Sequence, residues 1–292
     1  MMKIKAMGVL SLTICLLSLS INAFGDDMPE IKKKGVLRHL GVPYANFVTG
    51  SGDGFSVELM QGFSKYLGVR YAYVQTSWSN VIQDLSGKKV RPRGVEVEIL
   101  GHAPIRGDVV ATGLTILPWR EKVIDYSIPT FPTQIWLLAR AESSLQPIKS
   151  TGDTERDIEM VKSLLKGRSV LGVTNTCLDP NLYGIRESGA KVILFQEEVN
   201  KLSPAVIRGD AETCIYEVPD ALNALKKWPG RLKVIGPLSG EQAMACGFRK
   251  SFPRLREAFN QYLVQSKRNG SYLQLINKYY EDVLLYFPRF LK

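Results

Sequence analysis

Histidine is nearly absent: the 292-residue chain has two, His39 and His102. That is too few for a His-rich metal site, and no Ser/His/Asp set can be argued from them. Cysteine is scarce too, with Cys15, Cys177, Cys214 and Cys246 and no CxxC pair. Neither a thioredoxin-type redox motif nor a zinc ribbon is supported. There is no Gly-rich phosphate loop and no short-period repeat, which removes the nucleotide-cradle and solenoid readings. No run of 18 uninterrupted apolar residues follows the amino terminus, which argues against a multi-span membrane protein.

What remains is a globular composition, 45% hydrophobic and 23% charged, long enough for about two domains. Lys+Arg outnumber Asp+Glu by 38 to 28, a net charge of +10 that invites a nucleic-acid or anionic-surface reading. Part of it belongs to a leader. Lys3 and Lys5 precede an apolar stretch over residues 9–21, and Ala23 and Gly25 set small residues at −3 and −1 before Asp26. This is the layout of a secretory signal peptide, residues 1–25, cut after Gly25. The apolar run is shorter than the roughly 20 residues a membrane span needs. Cys15 lies inside that run, which argues against a lipoprotein anchor. The expected mature chain has 267 residues, exported and soluble, with 36 Lys+Arg against 28 Asp+Glu and a net charge of +8. Its excess lies partly in Lys88, Lys89, Arg91 and Arg93 and partly near the carboxyl end. No aromatic-interleaved basic stripe is present, so nucleic acid is not an expected partner.

Strand-like and helix-like patterns alternate through the mature chain. Residues 35–41 read as a strand, and Phe55, Leu59, Met60, Phe63 and Leu67 recur at helical spacing. Residues 71–75, 169–173, 191–195, 213–216 and 232–235 are strand-like, each separated by a helix-length segment. Such alternation predicts an α/β fold with mostly parallel sheets, whose ligand sites lie at the carboxyl ends of strands. A Ser/Pro/Gly-rich stretch at 141–152 reads as a linker between two such sets, and residues 87–107 as a small hairpin or loop insertion.

Several motifs occur in one order. Gly107-Asp108-Val109-Val110-Ala111-Thr112-Gly113-Leu114-Thr115-Ile116 leads to Arg120, then Val123-Ile124-Asp125-Tyr126-Ser127-Ile128-Pro129. Gly54-Phe55-Ser56-Val57-Glu58-Leu59 precedes them; residues 209–219, Gly247-Phe248-Arg249-Lys250 with Pro253, and the segment from Asn269 to Tyr280 follow. Together they resemble the family 3 extracellular solute-binding proteins, periplasmic receptors of polar amino-acid ABC importers, over nearly all of the mature chain. The resemblance implies a two-lobed periplasmic-binding-protein fold of type II, with two crossovers and closure by hinge motion. The lobes would be residues 26–139 plus 242–292 and residues 140–241.

The resemblance also implies a binding site. Arg120 offers a planar fork suited to a carboxylate, Thr115 a hydroxyl, and Gly113 a backbone that a ligand can approach closely. Glu217 stands where the family has an aspartate for the ligand's ammonium; its extra methylene carries the carboxylate about 1.5 Å further. Asn175, Thr176 and Cys177 align with the turn that donates to the ligand carboxylate, although a thiol is a poor donor. Tyr44 and Phe47 match aromatic positions beside the ligand, Phe47 reading more readily as core. Trp119, Phe131 and Gln134 are lesser candidates. In such a lobe the strands near Cys177 and Cys214 would be neighbours, making a Cys177–Cys214 disulfide the preferred pairing and two inert buried thiols its alternative; Cys246 reads as core.

The expectation is therefore a monomeric periplasmic protein that captures a small carboxylated, amino-acid-like ligand for an inner-membrane ABC permease, with no cofactor, metal or catalytic residue. Two alternatives stay open: a ligand-sensing subunit for a membrane sensor, and a periplasmic enzyme resembling cyclohexadienyl dehydratases. Lytic transglycosylases resemble the fold in one half, but the chain ends near Lys292 without room for their second domain.

Overall fold

The computed structural model describes residues 27–290. The expected leader and Cys15 lie outside the described residues. In chain order the strands are β1 (Val36–Gly41), β2 (Arg70–Gln75), β3 (Lys88–Arg93), β4 (Glu96–His102), β5 (Val109–Val110), β6 (Ile124–Tyr126), β7 (Phe131–Thr133), β8 (Ile135–Arg140), β9 (Ser169–Gly172), β10 (Lys191–Leu194), β11 (Thr213–Glu217), β12 (Leu232–Pro237), β13 (Gln242–Met244) and β14 (Gly247–Arg249). Helices fill most of the longer connections.

Two five-stranded sheets form the two lobes. The first has the order β2-β1-β5-β14-β6 and the second β10-β9-β11-β8-β12. In each, the strand that arrives from or returns to the other lobe runs antiparallel to its neighbours: β8 against β11 and β12, and β14 against β5 and β6. Between the lobes, β7 and β13 pair antiparallel as twin crossovers, Gln242 opposite Thr133 and Met244 opposite Phe131. The two-lobed α/β fold is thus present.

The residues explain the elements. Phe55, Leu59, Met60 and Phe63 bury one stripe of the helix Phe55–Leu67, which ends where Gly68 turns left-handed at φ 71° and its N–H caps the Lys65 and Ser64 carbonyls. Strand β8, Ile-Trp-Leu-Leu-Ala-Arg, is buried on both faces, as a central strand should be. An aromatic cluster of Phe47, Phe55, Phe131, Tyr272 and Tyr280 backs the crossovers, with the Phe131 and Tyr280 rings 4.8 Å apart.

Two expectations change here. The second sheet begins at Ile135, so residues 135–139 belong to the second lobe and not, as expected, to the first. The stretch 141–152 is not the inter-lobe linker: it lies within the second lobe, where Leu145 is buried and the Ile148 N–H bonds the Ile235 carbonyl at 2.9 Å. Its Ser/Pro/Gly content reflects a loop, and the true connections are the apolar strands β7 and β13. Of the two readings of segment 87–107, the hairpin is the one that forms. It is β3–β4, closed by Gly94 at φ 64° and Val95, with Arg93 opposite Glu96. The hairpin packs Val90 and Val97 against a small core that includes Trp119 and Val123.

Candidate functional site

Four strand ends converge between the lobes. Tyr44 follows β1, Thr115 follows β5, Cys177 follows β9, and Glu217 is the last residue of β11. This is where α/β sheets present ligand sites. Glu217 has no exposed surface. Its two oxygens accept hydrogen bonds from two partners on the first lobe: the Thr115 hydroxyl at 2.5 Å to Oε1 and the Tyr44 phenol at 2.7 Å to Oε2. The Cys177 thiol adjoins the same carboxyl. Burial raises the Glu217 pKa; the Thr115, Tyr44 and Cys177 contacts and the Arg120 charge pull it back without cancelling the rise.

Arg120 is 2% exposed. Pro118 opens its short helix, Pro118–Glu121, at the position where a missing N–H costs least. One nitrogen, Nη1, donates to the Thr115 carbonyl at 2.9 Å, while Nε is buried with no partner. Among the described residues no carboxylate lies within ion-pair distance of Arg120, and no cation within that distance of Glu217. A buried guanidinium and a buried carboxyl therefore face one region without pairing with each other. Each such group is costly unless something compensates it.

The remaining expected residues fall into place unevenly. Tyr44 is at the site, its ring edge-on to Trp78 at 5.2 Å. Phe47 stands one layer behind, stacked on Tyr44 at 6.0 Å and surrounded by core aromatics, so it packs and does not line the cleft. Gly113 is required for that packing: at φ 66°, a Cβ there would lie 2.6 Å from the Phe47 ring. Thr176 uses its hydroxyl locally, donating to the Val173 carbonyl at 2.8 Å and accepting from the Leu178 N–H at 3.0 Å. Asn175 is an exposed turn residue at φ 62°, its N–H donating to the Asp179 carboxylate.

The Cys177–Cys214 disulfide is not formed; Cys177, Cys214 and Cys246 are free buried thiols. Cys214 pairs with Leu171 across β9, whereas Cys177 reaches Glu217, three residues on from Cys214 along β11. That separation is about 10 Å and places the two side chains on opposite faces of the strand, too far for a bridge. The expectation treated neighbouring strands as neighbouring residues.

The sequence reading missed five residues of this site. Trp78 covers Tyr44 and, with Tyr44, Cys177, Leu178 and Val199, lines a cavity of about 10 Å³. The Tyr183 phenol donates to the Cys177 carbonyl at 2.5 Å, and that of Tyr126 to the Thr115 carbonyl at 3.1 Å. Asp220 lies one helical turn after Glu217 and is 5% exposed. Its i, i+3 spacing from Glu217, across Val218-Pro219 at a helix start, was the readable signal. Val199 closes the small cavity from the second lobe, and nothing in its spacing announces that.

Comparison with known proteins adds the family. The sequence profile of the bacterial extracellular solute-binding proteins, family 3, matches residues 103–282. The chain belongs to this family. Among its relatives is the L-cystine-binding protein TcyJ of Escherichia coli K12, 24% identical over 285 residues that cover 94% of each chain. Similar solved structures include a mutant of ArgBP from T. maritima, with a TM-score of 0.69 and 23% identity, covering 87% of this solute-binding chain and 99% of that one. Another is the ancestral amino acid-binding protein AncCDT-1, a precursor of cyclohexadienyl dehydratase, with TM-score 0.67, 23% identity and coverage of 87% and 99%. At such identities the structures establish the two-lobed fold for this family member.

Proposed function

We propose that this solute-binding protein captures an amino-acid zwitterion between its lobes and, as an exported periplasmic receptor, delivers it to an inner-membrane ABC permease. The observation that carries this reading is the arrangement of Arg120 and Glu217: a guanidinium and a carboxyl, both buried, facing one region and unpaired. A zwitterion answers both demands at once. Its carboxylate takes the donors of Arg120, and its ammonium takes Glu217, relieving a buried charge on each side. Relatives support the class, since TcyJ is an L-cystine-binding protein and one solved neighbour is an arginine-bound ArgBP. In this reading the twin strands β7 and β13 are the hinge, Thr115 and Tyr44 close the first lobe on Glu217, and Trp78 caps the ligand beside Tyr44. Cys177 contributes packing and a weak contact, and no bond is made or broken.

A thermal-shift panel of amino acids, diamines and dicarboxylates tests it. At a ligand concentration of 100 Kd, binding adds about 2.7 kcal/mol, or a rise of about 5–10 °C in Tm for a chain of this size. At least one α-amino acid should reach that rise. If only dicarboxylates or polyamines do, the zwitterion reading is wrong.

A second reading has one observation behind it: the raised Glu217 carboxyl is poised as a proton donor, and AncCDT-1 is described as a dehydratase precursor. Turnover of prephenate or arogenate by the purified protein decides between capture and catalysis.

A further inference from the structure

Tyr44 has one phenolic proton and two carboxyl neighbours. The proton goes to Glu217 Oε2 at 2.7 Å, and the Asp220 carboxyl lies against the same phenol. Asp220 Oδ2 is buried with no hydrogen-bond partner. Among the described residues no cation stands within ion-pair distance of it. One donor cannot fully satisfy two buried acids, and Asp220 is the one left with an unpartnered oxygen.

Asp220 also borders a second cavity, of about 200 Å³. This cavity forms where residues 45–49 of the first lobe meet the helices Leu202–Arg208 and Val218–Lys227 of the second. Its lining is polar: Asn200, Ser203, Tyr216 and Asn223 surround Asp220, with Trp228 at the side. Asn200 reaches across the lobes, its Nδ2 donating to the Pro43 carbonyl at 3.3 Å. The volume is too small for a whole ligand of ordinary size and suits one side-chain terminus. Lys227 stands at this cavity, exposed, but its ammonium lies 4.7 Å over the Trp228 ring and not on Asp220.

We propose that this cavity is a second cation subsite, with Asp220 as its base, and that the captured solute carries a side-chain ammonium or guanidinium group besides its α-amino group. The proposal rests on the zwitterion reading above and adds the class of amino acid. The α-carboxylate sits at Arg120 and the α-ammonium at Glu217. The side chain passes beside the Tyr44 hydroxyl and ends at Asp220, where Asn200, Ser203 and Asn223 supply further acceptors and the Trp228 face a cation–π contact. Asp220 is here a specificity residue. It selects a diamino acid over a neutral one of the same length.

Calorimetric titration with L-lysine and L-norleucine, which share a carbon chain and differ in the terminal ammonium, tests the assignment. The protein should prefer lysine by about tenfold or more, and Asp220→Asn should bring the two affinities within about twofold of each other. That substitution keeps the volume and removes a buried unpartnered carboxyl, so the free protein's Tm should hold or rise. Lys227→Met provides an independent arm: losing a like charge at the cavity should increase the lysine preference. Equal or tighter norleucine binding, an undiminished lysine preference in Asp220→Asn, or a preference that falls in Lys227→Met would each overturn the subsite. If other amino acids bind while lysine does not, only the subsite falls. If no amino acid binds, the zwitterion reading falls with it.

Discussion

Asp108 and Glu217 are both carboxylates without exposed surface, one in each lobe, and they are built in opposite ways. Asp108 has Arg38 on both oxygens, Nη2 at 2.7 Å and Nε at 3.0 Å, with Arg249 at 3.3 Å behind it. Burial alone would raise its pKa, but the Arg38 bonds and the two positive charges hold it below the usual carboxylate range. Glu217 has two hydroxyls, a thiol and no cation within ion-pair distance, and its pKa is raised. A buried acid with its own arginines completes a fold; a buried acid left with neutral donors is open to an external cation. Both belong to the same set of family motifs, and only their surroundings separate a structural residue from a functional one.

The comparison breaks most visibly under substitution. Asp108→Ala strands Arg249, itself 7% exposed, beside Arg38, and should cost about 3–5 kcal/mol in urea unfolding. Glu217→Gln removes a carboxyl that burial already disfavours, and should leave the unfolding midpoint equal or higher while weakening solute binding. An equal loss of stability in both variants would erase the distinction.

His39 is the next largest effect. It is fully buried in β1, one ring nitrogen 2.8 Å from the Tyr71 phenol and the other 2.6 Å from the Ala111 carbonyl, and burial lowers its pKa to about 4. Between its unfolded value near 6.5 and about 4 the unfolded chain holds the extra proton. Stability should therefore fall by about 3 kcal/mol as pH drops through that window, and His39→Gln should flatten the fall. Urea midpoints at pH 7 and about pH 4.5 measure it.

The two acids should then separate by sign. Asp108 has a lowered folded pKa, so its contribution is present above the unfolded carboxylate value near 4 and is lost as pH falls further. Glu217 and Asp220 have raised ones, so their contribution is present at acid pH and fades as pH rises above about 4. The double variant Glu217→Gln, Asp220→Asn should steepen the gain in stability between about pH 4 and 7; an unchanged slope would mean that neither acid is perturbed.

The smallest expected effect is that of reductant. With Cys177, Cys214 and Cys246 free, dithiothreitol should leave Tm unchanged, and alkylation should proceed only on unfolding. A Tm lowered by several degrees would restore the bridge.

Much of the architecture was readable from periodicity: the stripe of Phe55, Leu59, Met60 and Phe63 marked its helix, and the alternation within 87–107 its hairpin. The motif order gathered Thr115, Arg120, Tyr44 and Glu217 around one cleft. What stayed hidden depends on register and side-chain direction, which spacing alone does not carry. Cys177 and Cys214 lie near adjacent strands but at different levels. Gly113 leaves room for the Phe47 ring, a packing demand that its motif does not announce. Asn175 and Thr176 turn their polar groups to solvent or to their own loop. Trp78 and Asp220 fall outside the motifs altogether, and Tyr44 touches both of them in space.

The most direct test of the central claim is calorimetric titration of Arg120→Ala beside the unmodified protein, using the amino acid that gives the largest thermal shift. Losing a charge-assisted clamp should weaken binding by about 1.5–3 kcal/mol, on the order of 10- to 100-fold, with the free protein still folded. An unchanged affinity would contradict the account, because the buried, partly unpartnered guanidinium would then have no part in holding the solute.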